Sequence, residues 1–295
     1  MSVRFVREFY ENINDLSGGR IDILKNALRT FSEKQAAQAS ASLAYYTFFS
    51  IFPLLLLFIA VGSYFLDRHQ VFNIVTQFVQ QAFPVSRQII NENLQQILDQ
   101  RGTIGIIGLL TLLWSASGMF TSLAYNINLA WPRASRRNFL QSRLIGLWMI
   151  IGVIGLILLS LILSWVTNRL PFLHITDAPP SDLIVLRLIS GFGSWLMIFL
   201  VFLTVYHWIP TLRVKWSTTF WGALIASFAW KAATTGFTWY LSSRFGRYQL
   251  VYGSLGAIVA FLFLIYLISL ITLFGAHLSA AIDGWEHQRV NASTI

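Results

Sequence analysis

The chain has 295 residues, 56% of them hydrophobic and only 11% charged, with a formal net charge of +9. A soluble domain is about one quarter charged, so the solvent implied for most of this chain is lipid. There is no cysteine, which excludes disulfides, thiol nucleophiles and thiolate metal sites.

Residues 1–42 read as a cytoplasmic segment of amphipathic helices. Val3, Val6, Tyr10 and Ile13 share one helical stripe, and Ile21, Leu24, Leu28 and Phe31 share another beyond Ser17-Gly18-Gly19. No secretory signal peptide is expected, because the first apolar run starts after these mixed residues and is too long for a signal core. A bilayer core about 30 Å thick needs roughly 20 apolar residues. Six runs meet that length: about 43–66, 103–130, 144–166, 183–208, 218–241 and 254–281. They are continuous rather than alternating, which predicts helices and not a barrel. The expected fold is an all-α integral membrane domain over 43–281, followed by a cytoplasmic tail at 282–295.

In the first run Pro53 removes a helical hydrogen bond and displaces the carbonyl of Phe49. With Tyr45, Tyr46, Thr47 and Ser50 beside it, the kink reads as a hinge or a permanent bend. The segment 67–102 reads as an exterior helical hairpin, with stripes at Val71, Val75, Phe78 and Ala82 and at Ile90, Leu94 and Ile97. Pro84 suits the first turn of its second helix.

Lys and Arg counts set the orientation. With the N-terminus inside, the cytoplasmic pieces hold thirteen and the exterior pieces six, so both termini are placed in the cytoplasm. The basic balance follows this bias and anionic headgroups, and no nucleic-acid partner is expected. Six spans divide into three plus three, which is compatible with an inverted repeat. "WSASGMFTSLAYNIN" (114–128) and "WKAATTGFTWY" (230–240) occupy corresponding places.

Lys231 interrupts the fifth run about 15 Å below its outer end, too deep for snorkelling alone. A charge at mid-span costs roughly 2.5–3.5 kcal/mol on insertion scales. No predicted span contains an internal Asp or Glu. A wet cavity, carbonyls and hydroxyls, a neutral amine or an anionic ligand remain. Asn126, Asn128, Ser115, Ser117 and Thr121 on the second run are candidate polar neighbours. Arg187 near the outer end of the fourth run, with Arg244 and Arg247, would continue a descending series of positive groups toward Lys231, or would simply anchor at headgroups. His207 and His277 fall near cytoplasmic span ends, where interfacial hydrogen bonding or a proton role would suit them.

"LAYYTFFSIFPLL" (43–55) resembles the opening span of the YihY/virulence factor BrkB family of bacterial inner-membrane proteins. "NLAW" (128–131), "YGSLGAIVAFLFLIYL" (252–267) and "LFGAHLSAAI" (273–282) fit it in order and spacing. The resemblance implies a six-span inner-membrane protein with cytoplasmic termini. It also brings several functional labels, among them ribonuclease BN, virulence or serum resistance, and suggested transport or envelope-lipid roles, and no agreed catalytic or binding residues. Many relatives carry glutamate at the position of His277, so a carboxylate-dependent role there does not transfer.

Nuclease chemistry needs clustered carboxylates or histidines, whereas the five histidines are far apart and the 12 acids scattered. The leading expectation is a non-enzyme, without cofactor or metal, that moves or handles an anionic compound, lipids included, of the envelope. Lys231, Arg187, Asn126, Asn128 and Ser117 would bind it, and Pro53, Ser50, Tyr46 and His277 would line or hinge the path. Membrane lipids are the expected partners. The alternative is a non-transport scaffold or assembly partner in envelope biogenesis.

Overall fold

The computed structural model describes residues 19–65, 106–169, 180–242 and 254–292. They form seven helices, with no strand among the described residues: α1 Arg20–Glu33, α2 Ala36–Phe65, α3 Ile106–Leu129, α4 Phe139–Arg169, α5 Pro180–Trp208, α6 Trp216–Ser242 and α7 Ser254–Ala292. The predicted helix at 3–16 and the predicted hairpin at 67–102 lie outside the described residues.

Local chemistry explains where the helices begin and end. Gly19 opens α1 from the left-handed region, at φ 86°, where the absence of a Cβ removes the steric penalty. The chain turns at Lys34-Gln35 and re-enters a helix at Ala36, earlier than the apolar run itself begins. Ala36-Ala37-Gln38-Ala39 are good helix formers, so α2 extends the first run toward the N-terminus. The helix continues through Pro53. At the other end of the chain, α7 runs past Ala281 to Ala292, carrying the expected tail as helix.

The helices α2 to α7 are 24 to 39 residues long. Among the described residues one stretch, Ile258–Arg289 in α7, is long and apolar enough to cross a membrane.

Packing follows a chain of neighbours. Helix α4 packs on α3, α3 on α2, α2 on α7, α7 on α6 and α6 on α5, while α1 lies against α7. The core draws Leu43 from α2, Ala124 and Ile127 from α3, Phe202 and Tyr206 from α5, Ala223 and Ala226 from α6, and Leu273 and Ala276 from α7. Among the described residues these positions surround the end that carries the 130–138 and 209–215 connections. Two features hold that end. The Tyr206 hydroxyl donates to the Thr272 carbonyl at 2.7 Å. Helices α6 and α7 also approach so closely that a Cβ on Gly222 would stand 2.7 Å from the Gly275 carbonyl oxygen. Small residues permit this backbone contact in an apolar bundle.

Candidate functional site

Lys231 stands in α6 about 22 Å along the axis from Trp216, at 1.5 Å per residue. The buried stripe of α6 runs through Thr219, Ala223, Ala226 and Ser227. At about 100° per residue, Lys231 projects roughly 40° beyond Ser227, at the border of that stripe, and its side chain is exposed. Its carbonyl accepts from Thr234 at 3.1 Å. Among the described residues no hydrogen bond or ion pair engages its ammonium.

The neighbour on that border is α5. Trp195 meets Phe228 with ring centres 4.9 Å apart, and Phe199 meets Phe220 at 5.3 Å. Trp230 also meets Phe202 at 5.8 Å, so this antiparallel packing sets Lys231 against the stretch of α5 around Phe192 and Trp195. Arg187 lies on the same helix, further toward the far end. The register therefore places the two basic positions on packed neighbouring helices, while the Arg187 side chain lies outside the described residues, as do Arg244 and Arg247.

The asparagines and serine sit elsewhere. Asn126 donates to the Ser122 carbonyl at 2.8 Å, within its own helix. Asn128, 7% exposed, donates to the Ser135 carbonyl at 3.0 Å and accepts the Thr211 backbone N–H at 2.9 Å. It joins the 130–138 connection to the 209–215 connection, far below Lys231 in depth. Ser117 donates to the Trp114 carbonyl at 2.7 Å and accepts from Arg143 at 3.0 Å.

Charge counting assigned Arg143 to a loop, but its side chain enters the bundle. Its guanidinium lies 4.6 Å from the Trp114 ring centre and 5.5 Å from that of Phe139. Its Nε is buried without a partner among the described residues. The only signal in the sequence was the spacing of Trp114 and Ser117 on one face of α3, which does not name its partner.

Around Asn128 lies a cavity of ≈ 180 Å³, and its walls include Lys34, Tyr125, Trp131, Arg136 and Arg137. No Asp or Glu lines it among the described residues. The Arg137 guanidinium donates to the Ile209 carbonyl, and its burial pushes the guanidinium below its ordinary value. Trp131 is 3% exposed, and its Nε1 has no acceptor among the described residues.

Of the hinge and lining candidates, Ser50 is buried and Tyr46 exposed, with Tyr46 edge-on to Tyr45 at 5.9 Å. The side chain of Pro53 lies outside the described residues. His277 is buried, its Nδ1 3.2 Å from Thr30 Oγ1 and its ring edge-on to Phe31 at 5.6 Å. The Thr30 hydroxyl donates to the Asn26 or Ala27 carbonyl at 2.9 or 3.1 Å, so the imidazole N–H is the donor in this pair. His277 thus clasps α1 to α7.

Among the described residues no three His, Asp or Glu side chains gather as a metal site would require. A family model described as virulence factor BrkB matches residues 27–293. The chain belongs to the virulence factor BrkB family. A ribonuclease-like protein of Bacillus subtilis, YfkH, is 26% identical over 88% of this chain and 94% of its own length. A UPF0761 membrane protein of Vibrio vulnificus, VV0203, is 28% identical over 86% of this chain and 80% of its own. A UPF0761 membrane protein of Nitrosospira multiformis is 28% identical over 90% of this chain and 62% of its own. No solved structure matches. As a BrkB-family member the chain is a membrane protein, in keeping with its composition.

Proposed function

We propose that this BrkB-family chain is a six-span inner-membrane protein with both termini in the cytoplasm, and that it moves or holds an anionic envelope compound, anionic lipids included. The observation that carries the reading is Lys231. Its ammonium sits at mid-helix, exposed at the border of the α5–α6 contact, with no protein partner among the described residues. A cation at that depth needs water or an anion to offset its desolvation. Arg187, on the neighbouring α5, would receive the anion from the outer side, and the Pro53 region of α2 would permit rearrangement. No catalytic role is assigned.

The test is reconstitution into phosphatidylcholine vesicles with fluorescent phosphatidylglycerol or fluorescent phosphatidylcholine as probe. The protein should accelerate transbilayer movement of the anionic probe over the zwitterionic one, and Lys231→Ala should remove most of that difference. A scaffold role is what would remain if wild type and Lys231→Ala both leave the two probes alike.

A further inference from the structure

We infer that the cavity bounded by Lys34, Arg136 and Arg137 is a second, separate site that binds a phosphate group. It stands on residues other than Lys231 and does not depend on the transport reading.

Three cations reach one concavity from two distant parts of the chain, the α1–α2 turn and the 130–138 connection. The positive-inside bias needs basic residues on one face of the membrane, but it does not need them to line a hollow free of carboxylates. At about 30 Å³ per water in the liquid, the ≈ 180 Å³ cavity holds roughly six waters. That is room for a phosphate with a short substituent. Arginine suits this ligand because its planar fork of donors matches phosphate oxygens.

The site is also held in shape. Arg137 commits one donor to the Ile209 carbonyl and retains others. Asn128 has both ends of its amide engaged, so it fixes the wall rather than the ligand. The carbonyl end of α3 faces this region and would oppose an anion. Two of its carbonyls are already occupied, by the N–H groups of Ala130 and Trp131. The first turn of α4 contributes Ser142 to the lining and the positive end of a helix dipole. Trp131, in the wall, keeps a buried indole N–H without an acceptor.

The experiment titrates radiolabelled inorganic phosphate onto the full chain in phosphatidylcholine nanodiscs. Saturable binding at one site per chain is expected. The pair Lys34→Gln with Arg136→Gln should weaken it by about tenfold or more, Arg136→Lys should weaken it less, and Arg29→Gln, whose guanidinium pairs with Glu33 outside the cavity, should leave it unchanged. Arg137 is left intact because its carbonyl bond supports the fold, and each variant is checked for a wild-type unfolding midpoint. If the paired variant fails that check, Lys34→Gln alone supplies the comparison. Adding phosphatidate to the nanodiscs distinguishes the sources. Loss of phosphate binding names a lipid headgroup as occupant, retained binding names a soluble phosphate compound, and both support the site. Non-saturable binding, or binding indifferent to Lys34→Gln and Arg136→Gln, would overturn it. So would loss confined to Lys231→Gln, which would move the anion to mid-membrane.

Discussion

The Oδ1 of Asn128 accepts the backbone N–H of Thr211 at 2.9 Å while its Nδ2 reaches the Ser135 carbonyl at 3.0 Å. One amide thus joins two connections and closes a wall of the basic cavity. Asn128→Ala leaves both backbone groups without this partner at a buried place, a loss of about 2–4 kcal/mol. Asn128→Asp keeps the acceptor and loses the donor, so its unfolding midpoint should fall between wild type and alanine.

Arg137 donates to Ile209, which puts the 130–138 and 209–215 connections at one end of the helices, the end the proposed topology makes cytoplasmic. The chain has no native cysteine, so single-cysteine labelling is clean. Arg136→Cys and Arg213→Cys should both react with an impermeant maleimide from the cytoplasmic side only. Labelling of the two from opposite sides would break the predicted topology.

A Cβ on Gly222 would meet Ser279 Oγ as well as the Gly275 backbone. The hydroxyl could rotate away, but the carbonyl cannot. Gly222→Ala should therefore cost about 1–3 kcal/mol by prising α6 from α7. At Gly152 an added Cβ meets nothing within 4 Å among the described residues, and Gly152→Ala should be neutral or stabilising by up to about 1 kcal/mol. Denaturation of the two variants side by side checks the contrast.

Arg143 and Ser117 form one unit at 3.0 Å, with the Trp114 ring beneath the guanidinium. A double-mutant cycle of Arg143→Ala and Ser117→Ala should show coupling of about 0.5–3 kcal/mol. Additive losses would mean that the two side chains act apart.

The sequence displayed the helical class because the apolar runs are long and uninterrupted, and it displayed family membership through "LAYYTFFSIFPLL" and its companion stretches. It also singled out Lys231, since a charge within an apolar run needs no neighbour to be noticed. Tertiary roles were less legible. Asn126, Asn128 and Ser117 all read as polar neighbours of Lys231 that would bind one anion, yet a polar side chain in an apolar helix also serves a neighbouring backbone group, as each of these does. Arg143 counted as a loop cation because counting along the chain ignores the reach of a guanidinium toward the preceding helix. Lys34 meets Arg136 and Arg137 around one cavity only after the α1–α2 turn and the α3–α4 connection fold onto the same end. His277, read as polar lining at a span end, clasps α1 through Thr30 because α1 packs against α7.

The central claim is that Lys231 faces water or an anion at mid-membrane. Its most direct test is the reaction of Lys231→Cys, in the otherwise cysteine-free chain in vesicles, with a small water-soluble anionic thiol reagent. The account predicts modification from at least one side of the membrane, at a rate well above that of Phe228→Cys, whose native ring is packed against Trp195. No modification from either side, with a lipid-soluble maleimide still reacting, would mean that position 231 meets only lipid, and it would contradict the account.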